Sequence, residues 1–90
     1  MISKRLSSFI VTVEEGTLSK AAAKLFTTAP PLSRQIKLLE DEVGFSLFTR
    51  SHTGMKLTRQ GVVFYEQIIQ AYNLLSSYAL KGKTSNHLER

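Results

Sequence analysis

Apolar residues recur along this chain with the spacing of helix faces. Leu6, Phe9, Ile10 and Val13 stand at i, i+3, i+4 and i+7, the stripe of an amphipathic helix that Gly16 can end. Thr17 is placed to cap a second helix, whose own stripe is Leu18, Ala21, Ala22 and Leu25. Its three consecutive alanines, 21 to 23, leave little bulk, so another helix can approach closely. After the short break TTAP, Leu32, Ile36, Leu39 and Val43 mark a third helix that Thr28 can cap and Gly44 can close. Pro30 and Pro31 fall in its first turn, where backbone N–H groups have no intrahelical partner and a fixed φ suits the helix start.

Between Phe45 and Thr58 the pattern changes. LFTR and MKLT flank the turn-forming SHTG, which predicts a small β-hairpin over about 47–58. Thr58 can then cap a fourth helix running from about Arg59 to about Leu80. Within it Tyr65, Ile68, Tyr72, Leu75 and Ala79 alternate steps of three and four, a heptad-like seam. Phe64, Ala71 and Tyr78 widen that seam, while Val62 and Ile69 lie to its other side. This is more apolar surface than one small domain covers, so these eight residues, Phe64 to Ala79, are assigned to a dimer interface, with simple core as the bland alternative. The final stretch, KGKTSNHLER, has no periodicity and reads as a flexible tail over 81–90. The predicted fold is mainly α: three helices and a β-hairpin wing over 1–58, followed by a long helix over 59–80.

Composition narrows the class. Ninety residues with 42% apolar content suit one small globular domain. The absence of cysteine removes disulfides and thiolate zinc sites. The basic start and short apolar run faintly suggest a signal peptide, but Thr12 and the Glu14–Glu15 pair interrupt it. No segment approaches the roughly 18 apolar residues of a spanning helix, so a soluble, cytoplasmic protein with no membrane partner is expected. Two scattered histidines, no glycine-rich phosphate loop after a strand and no clustered acid–base pair argue against an enzyme, and no cofactor or metal site is expected.

Charge adds a partner. The net charge is +5, and nine basic against five acidic side chains fall within residues 1–59. Such a balance favours polyanions. The second and third helices, joined by a short break, have helix-turn-helix spacing, in which the start of the second helix is aimed into the DNA major groove. Thr28, Ala29, Pro30, Pro31, Ser33, Arg34 and Lys37 cluster there. Arg34 can fork onto guanine, neighbouring Gln35 can pair with adenine, and the proline rings can touch thymine methyls. Glu40, Asp41 and Glu42 crowd the other end of that helix, where acids oppose the macrodipole, as suits an end facing away from DNA. Arg50, His52 and Lys56 make the hairpin a basic wing for the minor groove or its phosphates. Bland readings stand beside these: Arg34 and Lys37 as solvated charges, Ser33 bonded to its own backbone, and His52 as an exposed loop residue. Lys20 and Lys24 fit solubility as well as phosphate contact. A module that binds an acidic protein partner is the second reading of the whole.

The sequence also resembles the amino-terminal DNA-binding domain of LysR-type transcriptional regulators. The similarity rests on F-x-x-x-V-E-x-G-[ST] at Phe9 to Thr17, Ala21–Ala22, and P-x-L-S-R-Q-I from Pro30 to Ile36. It continues through L-E-x-x-[LV]-G at Leu39 to Gly44, L-F-x-R at Leu47 to Arg50, and L-T-x-x-G at Leu57 to Gly61, covering about residues 6–80. The resemblance implies a bacterial regulator that binds double-stranded DNA at a dyad-symmetric site. It implies a homodimer through the fourth, linker helix, a tetramer at full length, and a small-molecule effector bound by a carboxy-terminal domain absent from this chain. It also implies DNA contacts at Pro30, Ser33, Arg34 and Lys37, with the wing following at Arg50. One position departs: a base-reading glutamine is common before the first proline, and here Ala29 stands, which shifts weight to Arg34 and to DNA shape.

Overall fold

The computed structural model describes the backbone of residues 4–51 and 54–89, and side-chain surroundings within these as far as Tyr78. Helix α1 spans Lys4–Glu15, α2 Leu18–Lys24 and α3 Ala29–Val43, followed by strands β1, Phe48–Ser51, and β2, Gly54–Leu57, and by helix α4, Arg59–Glu89. The strands pair antiparallel with Phe48 opposite Leu57 and Ser51 opposite Gly54. Each strand thus starts one residue away from the segments LFTR and MKLT, because the ladder closes symmetrically about the tip. The tip residues His52 and Thr53 lie outside the described residues.

The first three helices form around the apolar stripes. Phe9, Ala21, Ala22, Leu32, Ile36 and Leu39 are buried together with Leu47 and Phe48 from the start of the hairpin. Phe9 is the hub: its ring centroid lies 5.5 Å from Phe48, 5.4 Å from Phe64 and 6.1 Å from Tyr65, in tilted or edge-on arrangements that aromatic quadrupoles favour. Thr12 is also fully buried, and its hydroxyl donates to the Ser8 carbonyl at 2.8 Å, so a polar residue occupies a core position without an orphaned group.

Caps define the joints. Thr17 accepts from the Lys20 N–H at 3.1 Å and Thr58 from the Gly61 N–H at 2.9 Å, each closing a free helix start. Thr28 occupies the cap position of α3 but makes no side-chain cap bond. With prolines in the first turn, fewer N–H groups there require a partner. Gly61 is required by contact: a Cβ there would run into the Leu47 carbonyl oxygen. Gly54 combines a φ of 135° with the Gly16 carbonyl beside it, where the Met55 N–H donates to Gly16 at 3.1 Å and docks the hairpin on the α1–α2 joint.

Helix α4 exceeds the predicted length. Its backbone stays helical through Glu89, across the stretch read as an aperiodic tail. Periodicity reports a buried face, and a helix already nucleated can propagate without one where no proline intervenes. The first turns of α4 pack on the core through Phe64 and Tyr65, and Ile69, Tyr72 and Asn73 border a groove with α1.

Candidate nucleic-acid interface

The start of α3 is held from inside and open outside. Leu32, Ile36 and Leu39 lock the helix into the core, which leaves Thr28, Pro30, Pro31, Arg34 and Lys37 exposed and Ala29 and Ser33 half-buried. The structure therefore leaves the α3 residues assigned to DNA contact at the start of the helix, exposed or half-exposed. Gln35 does not join them. It is half-buried, with its Oε1 inaccessible and without a hydrogen-bond partner among the described residues, and it lines a groove between α1 and α3.

Arg50 and Lys56 are exposed on the hairpin, on opposite strands. Arg50 borders a groove of about 290 Å³ with Thr17, Leu18 and Ser19 at the start of α2. No bond between these wing side chains and the α3 cluster is present among the described residues. His52 falls outside them.

The cations divide into two groups. Arg5 pairs with Glu42 at 2.9 Å, Lys24 with Glu15 at 3.4 Å and Lys37 with Asp41 at 3.7 Å. Lys4, Lys20, Arg34, Arg50, Lys56 and Arg59 have no carboxylate partner among the described residues. Lys37 is exposed along with Asp41, so their pair is a weak one that a phosphate can displace.

The acids at the end of α3 have structural duties that periodicity did not show. The Glu40 carboxylate accepts from the Leu47 N–H at 2.8 Å and the Phe48 N–H at 3.2 Å, so it holds the start of the wing. Glu42 and Asp41 answer Arg5 and Lys37. Their crowding against the macrodipole is offset by these partners, which explains the placement without reference to DNA.

One residue beside the cluster was missed. Phe26, in the turn between α2 and α3, is the only non-glycine with positive φ among the described residues, at 57°, and is 97% exposed. Its N–H donates to Ala23 and the following Thr27 N–H to Ala22, at 3.2 and 2.9 Å, the paired bonds of a Schellman helix ending. That ending favours glycine or asparagine at Phe26, and a side chain with Cβ costs about 1–2 kcal/mol in the left-handed region. The turn length was the available signal, since some residue after Leu25 had to reverse the chain.

On α4, Phe64, Tyr65 and Ile68 are half-buried, the first two on the chain's own core. Ala71, Tyr72, Leu75 and Tyr78 are exposed, and so are Val62, Val63 and Leu74. Ala79 is helical, with its side chain outside the described surroundings. No helix among the described residues is long and apolar enough to cross a membrane.

Three helices, a helix–turn–helix of α2 and α3, and a two-stranded wing define the winged helix-turn-helix class. Residues 3–62 match the model of bacterial regulatory helix-turn-helix proteins of the lysR family, and the chain belongs to that family. It is 43% identical over 67 residues to the HTH-type transcriptional regulator BenM of Acinetobacter baylyi, covering 74% of this chain and 22% of BenM. It is 33% identical over 76 residues to the uncharacterized HTH-type transcriptional regulator YgfI of Escherichia coli, covering 84% and 26%. Among solved structures, the BenM DBD bound to benA site 1 DNA superposes with a TM-score of 0.85 at 37% identity, covering 93% of this chain and 94% of that one. The CbnR DBD–DNA complex gives 0.78 at 34% identity, with both chains fully covered. The chain spans about a fifth to a quarter of the length of these two full-length regulators.

Proposed function

We propose that this chain is the sequence-specific double-stranded DNA-binding part of a cytoplasmic bacterial transcription regulator, and not an enzyme. Helix α3 enters the major groove from Ala29 onward, and the wing rests on the minor groove or backbone. The observation that carries this reading is the exposed first turn of α3, where Arg34 stands without a carboxylate partner among the described residues, as Arg50 and Lys56 do on the hairpin. An uncommitted guanidinium at the helix start gives both phosphate attraction and a fork for guanine. The similarity to DBD structures solved on DNA supports the same reading.

Helix α4 serves as the linker that pairs two copies. Support comes from its exposed apolar residues Tyr72, Leu75 and Tyr78, which extend past the core, and Phe64, Tyr65, Ile68, Ala71 and Ala79 complete the surface assigned to it. In the full-length regulator we expect a tetramer, a dyad-symmetric site, and a small-molecule effector held by a separate domain beyond residues 81–90.

Selection from a random duplex library with the 90-residue chain tests the reading. One duplex class with inverted half-sites should enrich, and Arg34→Ala should flatten its preference at one position by about 1–3 kcal/mol. Binding without sequence preference at moderate salt would refute it.

A further inference from the structure

Phe26 serves no purpose in the fold. A large apolar side chain is almost wholly solvent-exposed at the one described non-glycine position with a left-handed backbone. Neither packing nor backbone preference selects phenylalanine there, since the Schellman ending is best served by glycine or asparagine. A conformational cost that buries nothing is the mark of a residue kept for a contact made elsewhere.

The surroundings say which contact. Phe26 and Thr27 line a groove of about 300 Å³ between α1 and α3, together with Lys4, Ser7, Pro31 and Gln35. Pro31 belongs to the exposed first turn of α3, so the groove is continuous with the proposed reading surface. By helix geometry, Pro31 and Gln35 lie on the flank of α3 between Arg34 and the buried Leu32. With Arg34 directed at base edges, that flank faces one wall of the major groove, which is a sugar–phosphate strand. Lys4 supplies an exposed ammonium there, and Ser7 an exposed hydroxyl, on the neighbouring helix. A cation and a flat apolar ring side by side match the alternating phosphates and deoxyriboses of a backbone strand.

We infer that the Phe26–Lys4 groove seats the DNA strand flanking the major groove, with the Phe26 ring against a deoxyribose and Lys4 on an adjoining phosphate. This rests on the DNA-binding reading above and adds a second contact line to it. Phe26 contributes affinity through shape and apolar contact, not through base recognition.

The probe is the duplex enriched by the unmodified 90-residue chain. Phe26→Asn suits the left-handed backbone and should raise the thermal midpoint by a few degrees while weakening duplex binding about fivefold to tenfold. Phe26→Leu, which retains apolar bulk, should lose less. The slope of log affinity against log salt should be unchanged in Phe26→Asn and should fall by about one in Lys4→Gln. An Asn variant that binds as tightly as the parent would overturn this inference alone, and would give Phe26 to a protein partner instead. A variant that loses binding and stability together would make Phe26 a structural residue, which also overturns it. If no duplex enriches, both this inference and the DNA-binding reading fall.

Discussion

At the scale of single residues, Gly61 and Thr58 show how little slack the joint between wing and α4 has. The Thr58 hydroxyl donates to the Ser46 carbonyl at 2.6 Å and accepts from Gly61, while the Thr58 N–H donates to Leu47 at 2.9 Å. Gly61→Ala places a Cβ against the Leu47 carbonyl, and backbone cannot give way as a flexible side chain does. Urea unfolding should show a loss of about 2 kcal/mol or more, far above the effect of an ordinary helix Gly→Ala change, which stabilises. Thr58→Val should cost about 1 kcal/mol, the usual value of a cap, with the helical signal of α4 otherwise retained. Thr17, Thr58 and Gly44 were legible in the sequence because a cap is a local event, settled within three or four residues. Phe26 was not, because its conformation is imposed by the end of α2 and its residue type gives no hint of it. Thr12 was equally hidden: its burial depends on a bond to Ser8 that lets a hydroxyl pass for a core residue.

At the scale of elements, the three helical stripes were legible because a 3.6-residue period is written directly in apolar spacing. Residues Leu32, Ile36, Leu39 and Val43 read as a face, and the first three are buried. What the period could not show is which element each face meets. The Glu40 carboxylate on the Leu47 and Phe48 N–H groups, and Arg5 on Glu42, join residues that are distant or unremarkable in sequence. The proposed site was half legible for the same reason. The exposed positions at the start of α3 could be read from the spacing, while the half-burial of Gln35 and the pairing of Lys37 with Asp41 appeared only in three dimensions. Glu40→Ala should release the wing from α3, leaving two N–H groups unpaired. Hydrogen exchange should show faster exchange at Leu47 and Phe48 than in the parent, with the core amides of α1 nearly unchanged. Glu40→Gln, which keeps one acceptor oxygen, should fall between the two.

At the scale of the whole molecule, the long axis measures 54 Å against 27 and 20 Å for the others, and most of that length is α4. Thirty-one residues at 1.5 Å each give a rod of about 46 Å. Its packing on the core is through Phe64 and Tyr65, while Leu74, Leu75 and Tyr78 are exposed. Leu75→Glu with Tyr78→Glu changes residues that the chain's own fold does not need, so folding should survive. Sedimentation should then show monomers, and affinity for a two-half-site duplex should drop at least tenfold, because linked half-sites act through effective concentration. An unchanged dimer would overturn the assignment of the pairing surface to this seam of α4. The far end of α4 escaped the sequence reading because residues 81–89 carry no periodic apolar spacing.

The knot of bonds around Leu47 has a consequence for how such a molecule measures DNA. Glu40 on α3 grips the Leu47 N–H, and Thr58 at the head of α4 grips the Leu47 carbonyl. A single peptide neighbourhood thus fixes reading helix, wing and rod at set angles, like the arms of a caliper cast in one piece. Two such calipers joined along their rods would present their tips at one separation. A mismatch with the spacing of the half-sites would then have to be absorbed by the duplex, through bending, since the protein has no joint there to yield.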